Sequence, residues 1–185
     1  NKWGGNGLES GGVGSVKTQY YFPMLFDWLG LKRHPHQAPT LKAIFVATTA
    51  GEPMKSVSTI EAMANRGLKG DRYCDDRGHW KSIDGCQVTL ITEHDLEQAK
   101  KTEVEFREAL DNGSHRRNLV IAGLKTKHLE GKEFRIGTAV FRYDKPRPPC
   151  AYLDQIAGKG MCRALSHNSG VCIRVITGGT LAVGD

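Results

Sequence analysis

Cys150 closes the run Asp144-Lys145-Pro146-Arg147-Pro148-Pro149-Cys150, which sets three prolines and two cations before a single thiol. Proline fixes φ and removes a backbone donor, so this run is expected to be a stiff, partly extended arm rather than helix or central strand. Neighbouring Lys or Arg favours a thiolate, and the thiolate is both the nucleophile and the metal ligand. A small hydrophobe buried after a proline turn is the plainer alternative.

Other segments offer anion chemistry. Gly67-Leu68-Lys69-Gly70-Asp71-Arg72 places two glycines around a lysine, where the backbone can approach a ligand closely and cations can hold an oxyanion. A surface turn with an internal Asp71–Arg72 pair reads the same letters. The segment lacks the strand–GxGxxG–helix context of a dinucleotide site. His115-Arg116-Arg117-Asn118 stands before an apolar strand and forms a fork for a phosphate or a heterocycle edge, or a solvated basic loop. Arg174 interrupts an apolar strand between Ile173 and Val175, so it faces solvent or a polar cavity. The four cations Lys69, Arg72, Arg116 and Arg174 are expected to converge on one pocket.

Composition bounds what can hold these residues. The chain has 185 residues, 39% hydrophobic and 25% charged, with 22 glycines and 7 prolines. That suits one ordinary domain of short strands, with a tail. Five cysteines (Cys74, Cys86, Cys150, Cys162, Cys172) and no Cys-x-x-Cys pair argue against a disulfide framework or a structural zinc site. A reducing, cytoplasmic setting is expected. No apolar run approaches the length of a membrane span, and the N-terminal residues lack a secretory pattern. The formal charge of +6 calls for an anionic partner. The cations are scattered, without the runs or aromatic patterns of a nucleic-acid binder.

Residues 1–40 read as a Gly-rich flexible tail, an aromatic segment from Tyr20 to Gly30, and a linker around His34-Pro35-His36. From residue 41 to 185 the pattern is strand-like: 41–47, 87–92, 118–121, 133–137 and 139–143, with a helical stretch at 60–65. Thr92 is the expected N-cap of a helix that extends in pieces to Leu110. The C-terminal segment is expected to form a hairpin over Gly178-Gly179. Together these predict a mainly β, barrel-like fold with a few short helices.

In order, the segments resemble the MOSC domain, named for the C-terminal domain of molybdenum cofactor sulfurase. The matching pieces are Gly-Leu-Lys-Gly-Asp-Arg-Tyr at 67–73, Val-Thr-Leu-Ile-Thr-Glu at 88–93 and Arg-Arg-Asn-Leu-Val at 116–120. Leu-x-Gly-Lys-x-Phe-x-Ile-Gly at 129–137, Pro-Cys-x-x-Leu at 149–153 and Val-Ile-Thr-Gly-Gly-x-Leu-x-Val-Gly-Asp at 175–185 complete the series. The resemblance implies a barrel-like domain that binds the molybdenum cofactor (molybdopterin) or carries sulfur. Cys150 then ligates molybdenum or holds a persulfide. Lys69 and Arg72 approach the pterin phosphate, with Thr92, Glu93, Arg116 and Asn118 near the rest of the cofactor. Two activities follow from the resemblance: reduction of N-hydroxylated compounds, or delivery of sulfur to metal–sulfur centres. Each calls for a redox or sulfur-donor protein partner.

Overall fold

The computed structural model describes residues 38–79 and 85–185, so the expectations for the tail and aromatic segment lie outside the described residues. β1 (Thr40–Val46), β2 (Lys55–Val57), β3 (Thr59–Met63) and β4 (Gly67–Leu68) come first. β5 (Val88–Thr92), α1 (Glu93–Thr102), α2 (Arg107–Asp111) and β6 (Leu119–Ala122) follow. The chain continues through β7 (Glu133–Ile136), β8 (Ala139–Pro146), α3 (Ala151–Ala157), α4 (Met161–Leu165), β9 (Val171–Thr177) and β10 (Gly179–Ala182). Seven strands form a curled half-barrel sheet in the order β2-β1-β6-β5-β9-β8-β7, and β10-β3-β4 form a smaller one.

Strand periodicity explains the layers. On β5, Val88 and Leu90 enter one cluster with Leu41, Ile44, Phe141 and Ile173, joined by Ala62, Leu68 and Leu181 from the small sheet. Ile91 turns to the opposite face and packs with Leu96, Leu110, Leu153, Met161 and Leu165 beneath the helices. Successive strand residues point to opposite faces, so a strand covered on both sides is buried throughout, as β5 is. The Thr92 hydroxyl accepts from Asp95 N at 3.1 Å and starts α1, as an N-cap does.

Three local expectations need correction. Ile60–Ala64 is rich in helix formers, yet residues 59–63 are strand β3, because pairing with β10 and β4 outweighs local propensity. The C-terminal segment is not a hairpin. β9 belongs to the large sheet and β10 pairs with β3, so the chain changes sheets at Gly178. The proline arm is extended, but its first part is strand: β8 runs to Pro146, opposite Val171 of β9. β7 reaches only Arg142 on the other side of β8, so the Pro146 stretch lies at an edge, where the missing donor costs no ladder bond.

The arm meets Gly170, whose carbonyl accepts from Arg147 N at 3.0 Å. Gly170 has φ +77°, and a Cβ there would stand 2.2 Å from Leu90 O. Gly170→Ala is therefore expected to lower stability by about 2–4 kcal/mol through backbone strain and overpacking. A urea midpoint unchanged from wild type would contradict this reading.

Candidate functional site

The arm and the segment before β6 meet at one cavity of about 350 Å³. Arg72, Arg116, Arg117, Lys145 and Arg147 line it together with Cys150. Tyr73, His79 and Tyr152 supply aromatic faces, and Pro148 and Pro149 form the wall leading to the thiol. No Asp or Glu lines it among the described residues. Cys150 is half-buried, in extended conformation (φ −133°, ψ 162°), directly before α3.

Specific partners place the four arginines. Arg72 is 3% exposed; its Nη1 donates to Asp71 Oδ1 at 3.0 Å and its Nη2 to the Arg116 carbonyl at 3.1 Å. The guanidinium also lies 4.5 Å from the centre of the Tyr73 ring, within cation–π range. Arg116 itself has φ +66°, a conformation that costs a non-glycine residue roughly 1–2 kcal/mol. This backbone turn is held by Arg116 N donating to Gly113 O at 2.9 Å and by Arg116 Nη1 donating to the Glu52 carbonyl. Burial, then repulsion from Arg72, pushes Arg116 down to about 10. Burial and Arg147 do the same to Arg117, also to about 10. Both remain protonated at neutral pH. Crowded, partly desolvated cations of this kind gain from a bound anion.

Arg117 acts as a clamp. It donates from Nε to Ser169 O at 2.6 Å, from Nη1 to His115 O at 3.1 Å and from Nη2 to Arg147 O at 3.2 Å. The Ser169 hydroxyl also donates to Arg147 O, at 2.7 Å. The arm carrying Cys150 is thereby tied to the entrance of β6 and to the segment before β9. Arg147 in turn donates from Nη2 to the Tyr73 hydroxyl at 3.1 Å. His79 stacks on Tyr152 with ring centres 3.7 Å apart and planes 6° apart.

The remaining residues singled out in the sequence stand elsewhere. Of the four cations expected to converge, Arg72 and Arg116 do. Lys69 pairs with Glu61 at 2.7 Å on an exposed face, and Arg174 pairs with Asp144 at 3.0 Å across two strands. Strand alternation explains Arg174: Ile173 and Val175 point into the core, so the residue between them points out. Thr92 caps α1, and Glu93 reaches Lys42 at 3.6 Å on the surface. Asn118 is fully buried: its Oδ1 accepts from Thr89 Oγ1 at 2.8 Å, and its Nδ2 donates to Phe45 O and Asp71 Oδ1, each at 3.0 Å. These four side chains and Asn118 do not line the cavity.

Arg117 is the second arginine of the 115–118 fork, and Tyr73 lies beside Arg72, so both were within reach of the sequence reading. The His79–Tyr152 stack joins residues distant in sequence and had no such signal. Burial and Asp154 push the Cys162 thiol up to about 11. Cys74, Cys86 and Cys172 are buried.

His115, buried next to Arg116 in the chain, gives the stability of the fold a pH dependence. It is fully buried, its Nδ1 accepts from Arg117 N at 3.0 Å, and burial with Arg117 and Lys100 pushes it down to about 3. Between that value and the ordinary 6.5, the unfolded chain takes up a proton that the folded chain refuses. This part of the stability is full above about pH 6.5 and declines by about 1.4 kcal/mol per pH unit as pH falls toward 3. Unfolding free energies measured in urea should fall more steeply between pH 7 and 4 in the wild type than in His115→Gln. Equal slopes would contradict the assignment.

The MOSC domain model matches residues 77–185 of the chain. The fold is similar to that of a hypothetical protein known from its crystal structure, at 17% identity, TM-score 0.60, over 77% of this chain and 63% of that one. It is similar to YuaD from Bacillus subtilis, at 12% identity, TM-score 0.61, over 80% and 92%. YiiM from Escherichia coli is also similar, at 18% identity, TM-score 0.58, over 77% and 65%. The chain thus spans less than two thirds of the first and third of these proteins. No functionally curated protein matches it by sequence.

Proposed function

We propose that this chain, which belongs to the MOSC domain family, holds a molybdenum–pterin cofactor in its cationic cavity with Cys150 as the protein's ligand to the metal. The family is associated with that cofactor. One observation carries the reading: five cations, three aromatic side chains and one accessible thiol line a single cavity of about 350 Å³. That volume is in the range of small-ligand sites, and the charge suits a phosphate-bearing anion. Among the described residues there is no group of three or more His, Cys, Asp and Glu side chains that could hold a metal. A lone thiolate fits a metal that brings its other ligands with it, and thiolates suit sulfur-loving metals.

The geometry supports the following roles. Arg116 and the cations of the arm, Lys145 and Arg147, would bind the phosphate. Tyr73 and the His79–Tyr152 stack offer flat faces to a heterocycle. Arg72 supports the strained Arg116 backbone through its carbonyl, and Arg117 fixes the arm that presents Cys150. When bound, the cofactor supplies the two-electron chemistry with which related MOSC proteins reduce N-hydroxylated compounds. The same thiol, without metal, could carry sulfane sulfur for a metal–sulfur centre. A redox or sulfur-donor protein would be the partner in either case. Among the described residues no helix is long and apolar enough to cross a membrane.

The test is composition. Protein made in a host that synthesises the cofactor should contain near-stoichiometric molybdenum and pterin phosphate. Arg116→Ala should retain roughly 10–100-fold less, the worth of one or two hydrogen bonds to a charged group. Cyanide-labile sulfur without molybdenum would favour the carrier reading. Absence of molybdenum, pterin and labile sulfur would exclude both.

A further inference from the structure

Cys162 has no part in that reading, yet its thiol touches the residue that does. Its Sγ lies 2.7 Å from the carbonyl oxygen of Cys150, and its backbone N donates to Asp154 Oδ1 at 2.7 Å. The second contact fixes the start of α4 against α3. Gly158-Lys159-Gly160 makes the turn between these helices, and Phe106 covers it so closely that a Cβ on Gly160 would come within 3.0 Å of the ring. Adding to the 2.7 Å contact the roughly 2.4 Å from Cys150 Cα to its own oxygen and roughly 2.8 Å from Cys162 Cα to its sulfur bounds the Cα separation at about 8 Å. A disulfide needs about 4.4–6.8 Å with the two Cβ atoms facing each other, so from that upper bound closure takes a backbone shift on the order of 1 Å together with reorientation of both side chains. Both thiols are half-buried, while the other three cysteines are buried.

We propose that Cys150 and Cys162 form a redox couple, in which a hydroperoxide entering the cavity oxidises Cys150 and Cys162 then closes a disulfide with it. In the first step the Cys150 sulfur attacks the peroxide O–O bond, giving a sulfenic acid and releasing water (or an alcohol). In the second step the Cys162 sulfur attacks the sulfenyl sulfur, the S–S bond forms, and hydroxide leaves and takes up the Cys162 proton as a second water. Two electrons pass from the thiol pair to the peroxide. The product occupies the Cys150 sulfur, so the oxidised protein cannot use it for metal or sulfane sulfur until a dithiol reduces the bond. This inference rests on the placement of the two thiols and not on the cofactor reading.

The test uses the full chain, prepared without metal and reduced, then treated with hydrogen peroxide and mapped by mass spectrometry without reduction. The predicted product is a peptide pair linked through Cys150 and Cys162, formed in the folded monomer and lost on addition of dithiothreitol. Cys162→Ser and Cys162→Ala should instead accumulate a sulfenic acid on Cys150, trapped by dimedone at least tenfold more than in the wild type. Wild-type protein in which Cys150 proceeds to sulfinic acid while Cys162 stays a free thiol would overturn the proposal. A Cys150 disulfide to any other cysteine, or between two molecules, would do the same. Because wild-type mapping stands alone, a variant that fails to fold does not decide the outcome.

Discussion

Cys150→Ser is expected to lower molybdenum or labile-sulfur content at least tenfold while changing the urea midpoint little. The thiol lines the cavity and is half-buried, so its sulfur fills no core space. Serine keeps the shape of the residue but removes the soft ligand and the sulfur nucleophile. Metal content by mass spectrometry and unfolding of the same samples separate loading from stability. Loss of loading together with a large drop in midpoint would mean that Cys150 is a packing residue.

The largest expected loss of stability comes from Asp71. This carboxylate is fully buried, and one of its oxygens accepts from Arg72 Nη1, Ala47 N and Asn118 Nδ2 at 3.0–3.1 Å. The other accepts from Tyr73 N at 3.1 Å. Asp71→Ala strips four donors of their acceptor and leaves the Arg72 guanidinium buried without its counter-charge. Removing one partner of a buried pair costs about 3–5 kcal/mol. The loss should appear as a lower urea midpoint, with the cavity disturbed as well, because Arg72 supports the Arg116 backbone. Asp71→Asn keeps an acceptor oxygen and should cost less. If Asp71→Ala unfolds at the wild-type midpoint, the network is not what holds the loop at 69–73.

The strands that position the site were legible wherever alternation was clean. The segments expected at 41–47, 87–92 and 118–121 are β1, β5 and β6 within a residue or two. Residues 60–65 misled because their letters favour helix while one of the two partner strands of β3, β10, lies more than a hundred residues away. Gly178-Gly179 carries a hairpin signal, yet the glycines serve a crossing between sheets. A Cβ on Gly179 would sit 2.6 Å from Thr138, a contact that no local pattern encodes.

For the cavity, motif order grouped Cys150 with Arg72 and Arg116, and these three do line one space. Motif order alone could not separate a side chain that faces a cavity from one that builds its frame. Thr92 and Asn118 carry the same chemistry in either role, and only the partners at Asp95, Thr89 and Asp71 decide it. Lys69 and Arg174 each have an acidic neighbour brought in by strand pairing, Glu61 and Asp144, which the linear sequence hides.

The most direct test of the central claim is the alkylation rate of each cysteine, measured by mass spectrometry on reduced protein with and without its loaded group. In the unloaded chain Cys150 should label first, ahead of Cys162 and the three buried thiols. In protein loaded by a cofactor-synthesising host it should label at least tenfold more slowly, with the other four unchanged. A Cys150 that labels last in the unloaded chain, or at the same rate in both states, would contradict the account.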